Sequence, residues 1–331
     1  MKNFSRRDVL IAGAGGALAS GSALNLAMAQ SGYPNRPVTL VVPWGAGGGT
    51  DATARQMGAL LENELKQPVN VVNRTGGSGV VGHSAIANAA PDGYTIGMVT
   101  VEVTMLQQQG LTTLTPADFT PLARLVSPAP GVIVGTDSPY KNIKELADAI
   151  KAAPPGKFKA SGTGQGGSWH IGLVGWLIAM RLKPDHVTWV PSQGAAPALQ
   201  EVAAGGIDFA TCSVPEARAL IEAGKVRALA NMAIQRNPAF PDVPTVAEAT
   251  GVKHTFGAWI GMAAPKGLPN DVRDKLIAAI KRANESKEFT DFVAARGLAP
   301  GWMGGVEFGS YMAEQVQSNT PLLRALGMVK G

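Results

Sequence analysis

Val38-Thr39-Leu40-Val41-Val42-Pro43-Trp44-Gly45-Ala46-Gly47-Gly48-Gly49-Thr50-Asp51, running on through Ala52 to Lys66, is the stretch whose reading decides the fold. It opens on five residues that are mostly β-branched and apolar, bounded by a proline, which reads as a buried strand. Pro43 to Gly49 is a loop, since four glycines in seven residues suit neither strand nor helix. From Asp51 to Lys66 the spacing turns helical, with Ala54, Met57, Leu60, Leu61 and Leu65 on one face. Thr50 or Asp51 suits the N-cap. The unit is strand, glycine loop, helix.

The unit recurs along the rest of the chain. Val69–Val72 is a short strand, Asn73-Arg74-Thr75-Gly76-Gly77-Ser78-Gly79 a second loop, and a helix follows near Val80–Ala89. Asp92-Gly93 turns the chain into the strand Tyr94–Val99. Val132–Gly135 is a strand and Ile143–Lys151 a helix. Phe158-Lys159-Ala160 leads into a third loop, Ser161 to Gly167, and Ser168 is the expected cap of a helix from about Trp169 to Leu182. The strand Val187–Val190 feeds a fourth loop, Pro191-Ser192-Gln193-Gly194-Ala195, and a helix over Pro197–Ala204. Ile207–Cys212 and Val226–Met232 are strands flanking a helix, Pro215–Ala223, closed by Gly224. The tail is helical over about Asn270–Ala294 and Val306–Gln317. This alternation predicts the α/β class, a mostly parallel sheet flanked by helices, in two units.

Composition narrows the function classes. The chain has 331 residues, 45% hydrophobic and 16% charged, so it buries real cores and is not disordered. Its one cysteine, Cys212, excludes an internal disulfide and a cysteine-rich zinc site. Residues 1–29 read as an export signal: a basic start, an uncharged Gly/Ala/Ser-diluted run from Ile11 to Ala29, and the small-x-small ending Ala27-Met28-Ala29. Arg6-Arg7, set as Ser-Arg-Arg-Asp-Val-Leu, resembles the twin-arginine motif; an ordinary signal or a retained anchor are the competing readings. Without Lys2, Arg6, Arg7 and Asp8, the 29 basic and 24 acidic residues become 26 and 23, a net charge of +3 instead of +5. No basic run tracks a phosphate backbone, so nucleic acid is not an expected partner.

The loops carry the chemistry. Each leaves a strand and enters a helix, and in open parallel sheets ligands bind beyond the carboxyl ends of the strands, facing helix N-termini. Free N–H groups and the helix dipole favour an anion there. Four unremarkable tight turns are the alternative. No Lys-Ser or Lys-Thr follows a glycine loop, so there is no P-loop, and Gly162-x-Gly164-x-Gly166-Gly167 only approximates a dinucleotide fingerprint. No cofactor is expected. His83, His170, His186 and His254 form no close metal-ligand pair, and no Gly-x-Ser-x-Gly elbow occurs. Ser168 and His170 lie two apart, on different helix faces, which disfavours a nucleophile–base pair. Cys212 reads as a buried, inert thiol. Asp208, after Gly205-Gly206, either ties neighbouring loops or faces a ligand.

These pieces together resemble the solute-binding receptors of the tripartite tricarboxylate transporter family. The matching motifs are Pro43-Trp44-Gly45-Ala46-Gly47-Gly48-Gly49-Thr50-Asp51-x-x-Ala54-Arg55, Asn73-Arg74-x-Gly76-Gly77-x-Gly79-x-x-Gly82, Pro91-Asp92-Gly93-Tyr94-Thr95 and Gly162-x-Gly164-x-x-x-Ser168-x-His170. Gly194-x-x-Pro197-Ala198-Leu199, Gly205-Gly206-Ile207-Asp208, Gly224-Lys225-Val226-Arg227-Ala228-Leu229, Pro241-Asp242-Val243-Pro244-Thr245 and Ala264-Pro265-x-Gly267-x-Pro269 follow in order, covering nearly all of the chain after the leader.

The resemblance implies a two-lobe periplasmic binding-protein fold of the type II kind, with the ligand in the cleft and the chain crossing twice. The implied division is residues 30–130 plus 255–331 for lobe 1 and 131–254 for lobe 2. It implies a receptor without chemistry of its own, for a small organic acid: a di- or tricarboxylate, or an aromatic carboxylate. Its partner would be the membrane permease of such a transporter, and a monomer is expected. A secreted α/β enzyme acting on a carboxylate is the alternative. The implied ligand-binding residues are Trp44, Ala46, Gly47, Gly48, Asp51, Arg74, Thr75 and Gly77 from one lobe. Ser161, Thr163, Ser168, His170, Gln193, Gly194, Ala195 and Asp208 come from the other. Asp51 suits ordering the loop better than meeting a carboxylate, which it would repel. Ser192 and Gln193 stand where many relatives carry an aromatic-basic pair, so a neutral contact replaces a charge.

Overall fold

The computed structural model describes residues 32–330; the expected export signal, residues 1–29, lies outside them. Two mixed sheets are built, one six-stranded and one five-stranded.

The first sheet grows from β1 (Val38–Val42), which continues through a glycine loop into α1 (Gly49–Leu65) and β2 (Val69–Asn73). A helical turn at Gly77–Gly79 leads into α2 (Val80–Ala87) and β3 (Thr95–Thr100). β1 lies between β2 and β3, parallel to both. Then β4 (Phe119–Val126) leaves this sheet, and after three residues β5 (Pro130–Gly135) opens the second. There follow α3 (Ile143–Ala152), β6 (Lys159–Ser161), α4 (Ser168–Ala179), β7 (Thr188–Trp189), α5 (Ala195–Ala203), β8 (Phe209–Ser213), α6 (Arg218–Glu222), β9 (Val226–Asn231) and α7 (Val246–Thr250). The chain returns to the first sheet with β10 (Ile260–Pro265), α8 (Asn270–Glu285), α9 (Lys287–Arg296), β11 (Pro300–Gly304) and α10 (Gly305–Ala325). The strand orders are β11-β4-β10-β3-β1-β2 and β7-β6-β8-β5-β9.

The sheets are mixed rather than mostly parallel. β10 runs antiparallel between β3 and β4, β11 antiparallel beside β4, and β5 antiparallel between β8 and β9. Most of these reversals involve the strands that receive the chain as it changes sheet. β4, β10 and β11 were not legible as strands. Pro121 and Arg124 interrupt β4, and Gly261 and Pro265 dilute β10. Gly261 is required there: a Cβ would lie 2.4 Å from the Phe308 ring and 2.7 Å from the Ala123 carbonyl.

Helix boundaries moved where capping was misjudged. α1 starts two residues before Asp51, with Gly48 as its cap, and α4 starts at Ser168, with Gly167 as its cap; neither end has a side-chain cap of its own. The expected single helix over 270–294 is two, broken at Ser286, whose hydroxyl accepts from the Phe289 N–H and starts α9. α10 runs to Ala325, beyond the expected Gln317, with Pro321 inside it.

The core follows from the strands' apolar faces. Leu40, Ile96, Met98, Leu122 and Met262 pack on Met57 and Leu61 of α1 and Leu276 and Ile280 of α8. In the second sheet Val132, Val134, Phe209 and Ala230 pack on Ile143, Leu146 and Ile150 of α3 and Leu173, Trp176 and Leu177 of α4. No helix among the described residues is long and apolar enough to cross a membrane.

Candidate functional site

The carboxyl ends of β1, β2, β3, β6, β7 and β8 carry loops that meet between the two sheets. The loops of opposite sheets touch: the Gly45 N–H donates to the Gln193 carbonyl at 3.1 Å, and the Ser78 hydroxyl to the Gln165 carbonyl at 3.3 Å. They close over a small cavity of about 40 Å³. Trp44, Gly48 and Gly49 line it from the first loop, and Thr100 to Glu102 from the end of β3. Thr163, Ser168, Trp169, Gly194, Ala195, Ser213 and Glu216 line it from the second sheet's loops. Pro128, Ala258 and Trp259, beside the two sheet-crossing segments, also line it.

The first four N–H groups of a helix lack intrahelical partners and sit at the positive end of its dipole. At α1 and α4 they find carboxylates from the opposite side of the cleft. The Gly49 N–H donates to Glu216 Oε1 at 3.0 Å, and the Ser168 N–H to Glu102 Oε1 at 2.8 Å. Glu102 is buried, at 2% exposure, and its other oxygen accepts from the Thr100 hydroxyl, which in turn accepts from the Trp44 indole at 3.1 Å. Glu216 Oε2 accepts from the Ser213 N–H and hydroxyl, at 3.0 and 2.9 Å. Withdrawal from water pushes the Glu216 pKa up, and the Glu102 charge adds to it; the bonds from Gly49 and Ser213 offset only part.

Of the residues expected from the sequence, Trp44, Gly48, Thr163, Ser168, Gly194 and Ala195 line the cavity. Gln193 reaches the site through its carbonyl; its side chain is exposed. Ala46, Gly47, Arg74 and Gly77 are exposed and Thr75 half-buried, and none lines the cavity. Ser161 donates to the Val190 carbonyl at 2.7 Å, and Asp208 is exposed, accepting from the Lys159 N–H at 2.7 Å. His170 accepts from the Gly166 N–H at 2.9 Å and stacks on Trp189 at 4.6 Å; burial pushes its pKa down to about 4, so the ring is a neutral brace. His83 is similarly neutral, also at about 4 because of burial; Nδ1–H donates to Gly79 and Nε2 accepts from Thr100 N–H, which fixes one tautomer.

Asp51 orders the first loop. It accepts from the Gly47 N–H, from Arg55 Nε and from Asn73 Nδ2, each at 2.9 Å. Burial pushes its pKa up, but these bonds and the Arg55 charge outweigh burial, so its pKa is lowered from 3.8. Asp51→Asn should therefore cost about 1.5–3 kcal/mol at pH 7, the range for hydrogen bonds to a charged group. Asp51 holds its proton more weakly folded than unfolded. Its contribution is therefore present above the ordinary value of 3.8 and lost as pH falls through the lowered folded value. Urea melts of both proteins from pH 7 to pH 3 should show the gap closing below about pH 4; a gap independent of pH would sink this role.

Glu102, Glu216, Thr100, Ser213 and Trp259 escaped the sequence reading. The available signal was a lone acid just past the end of an apolar strand: Glu102 follows β3 and Glu216 follows β8.

Two lobes meeting over a cavity at their strands' carboxyl ends, with the chain passing between them twice, define the class of bilobal periplasmic binding proteins. The sequence profile of the tripartite tricarboxylate transporter family receptors matches residues 53–328, and the chain belongs to this family. A protein from the tcbD-tcbE intergenic region of Pseudomonas sp. strain P51 is 33% identical over 309 residues, covering 90% of this chain and 88% of its own. The periplasmic binding protein BugD superposes with a TM-score of 0.82 at 29% identity, covering 90% of this chain and 100% of its own. MatC from Rhodopseudomonas palustris, solved with bound malate, superposes with a TM-score of 0.79 at 27% identity, covering 88% and 100%. Like its relatives, this chain is a periplasmic solute receptor.

Proposed function

We propose that the protein binds a small organic acid in the cleft, performs no chemistry on it, and delivers it as a monomer to the membrane permease of a tripartite tricarboxylate-type transporter. The convergence of glycine loops from both sheets on one cavity carries this reading, and the malate held by MatC supports it. Trp44 walls the ligand, and Gly48, Thr163, Ser168, Gly194 and Ala195 face it. Asp51, His170, Ser161 and Asp208 hold the loops that do so; Ala46, Gly47, Arg74, Thr75, Gly77 and Gln193 rim the entrance. Lobe 1 is residues 30–130 plus 255–331 and lobe 2 residues 131–254; the strands of the two sheets keep to these divisions apart from Pro130, the first residue of β5. A cavity of 40 Å³ holds about three waters at roughly 10–15 Å³ each, so the lobes part to admit a ligand by a hinge motion. Arg6-Arg7 directs export by the twin-arginine route.

A thermal-shift screen of protein unfolded and refolded to strip carried-over ligand tests this. At 100 times its Kd a ligand bound only by the native state adds about 2.7 kcal/mol, several degrees in Tm for a domain of this size. A carboxylate that raises Tm and is recovered unchanged establishes the receptor. A flat response across di-, tri- and aromatic carboxylates removes the organic-acid reading, and turnover of the hit favours a secreted enzyme.

A further inference from the structure

We infer that the ligand of this cleft is a zwitterion, carrying a protonated amine that sits between Glu102 and Glu216 as well as the carboxylate of the proposed organic acid. The inference rests on the cleft being the ligand site.

Charge is the first ground. Among the described residues, Glu102 and Glu216 are the only charged ones lining the cavity, with no Lys, Arg or His beside them. The two helix N-termini that meet them supply about half a positive charge each. That balances one carboxylate of the two. A dicarboxylate would add two more negative charges beside the remainder, while an ammonium would cancel it.

Bonding capacity is the second ground. An ionised carboxylate offers about four lone-pair sites. Three of those on Glu216 are used, by Gly49 N–H and the two Ser213 donors, and two of those on Glu102, by Ser168 N–H and the Thr100 hydroxyl. About three remain, and a primary ammonium has three N–H donors. The remaining wall is aromatic, with Trp44, Trp169 and Trp259 on the same cavity, and aromatic faces attract cations.

The ligand's other end has its own mark. Trp259 is fully buried, lines the cavity, and its indole N–H has no hydrogen-bond partner. Leaving a buried donor unpaired is unfavourable, and a ligand carboxylate supplies the acceptor.

Matched pairs test the inference by isothermal titration calorimetry on the refolded protein: glycine with malonate, β-alanine with succinate, γ-aminobutyrate with glutarate. Each pair exchanges an ammonium for a carboxylate on one skeleton. Binding confined to amine members is the expected result. Binding by the diacids alone, or by both members equally, overturns the zwitterion while leaving the organic-acid receptor intact. No binding by any of the six overturns the zwitterion outright, and binding of larger acids in the thermal screen decides separately whether the receptor reading survives. Glu102→Gln and Glu216→Gln, which keep shape, sharpen the sign. Each should weaken an amine ligand at least tenfold, whereas for an anionic ligand, removal of a negative charge should tighten binding. An equal small loss for both ligand types would mean that the glutamates serve only as helix caps, and would overturn the inference.

Discussion

Phe308→Ala should lower stability by about 3–5 kcal/mol, the usual range for deleting a buried aromatic side chain. Phe308 is fully buried on α10, packs edge-on against Trp259 with ring centroids 5.1 Å apart, and fills the space that Gly261 leaves on β10. The surroundings cannot collapse into the hole, because β10 is a central strand pinned on both edges by β3 and β4. At roughly 2–4 °C per kcal/mol for a large domain, Tm should drop by about 6–20 °C. Affinity should fall too, since Trp259 loses the ring that holds it against the cavity. Urea melts measure the first effect and titration calorimetry the second. A loss under about 1 kcal/mol would mean that α10 repacks freely and that its contact with the site is incidental.

Gly162→Ala should be almost as damaging, from the opposite cause. A Cβ there would stand 2.1 Å from the Thr211 carbonyl, a backbone atom of β8, and 3.0 Å from the Trp169 Cβ. No side-chain rotation relieves contact with a backbone carbonyl, so β6 and β8 must separate at the residue where the third loop begins. Overpacking of this kind costs about 1–3 kcal/mol and sometimes more. Because Thr163 and Ser168 line the cavity just downstream, ligand affinity should fall together with stability. Gly304→Ala is the control: nothing lies within 4 Å of the added methyl, and only the cap of α10 changes, at under about 1 kcal/mol. If both variants melt alike, the close approach at Gly162 is not what holds the loop.

The sequence showed the architecture wherever apolar runs alternate with glycine loops. β1, α1, β3, β6 and β8 stood close to where their patterns put them, because strand and helix there are each buried on a defined face. It hid β4, β10 and β11, whose prolines, glycines and arginine belong to contacts made with distant parts of the chain: Arg124 Nε donates to the Gly301 carbonyl at 2.6 Å, and Gly261 accommodates Phe308. In the site, the loops were legible and the acids were not. Expecting Ser168 as a cap misplaced it by one residue, and the true partner of its N–H, Glu102, is 66 positions earlier. Helix capping read locally misses a cap supplied by the other lobe.

The single cysteine has a practical consequence for watching the cleft move. Cys212 is buried and its thiol is pushed up by burial, so it reacts poorly with maleimides and other thiol dyes. Ala46 and Gln193 are exposed on facing banks, beside the backbone bond from Gly45 to Gln193 that must break when the lobes part. Cysteines introduced at those two positions would be the molecule's reactive thiols. A fluorophore on one and a quencher on the other would turn each opening into a flash of light, and the receptor into an optical sensor for its own ligand.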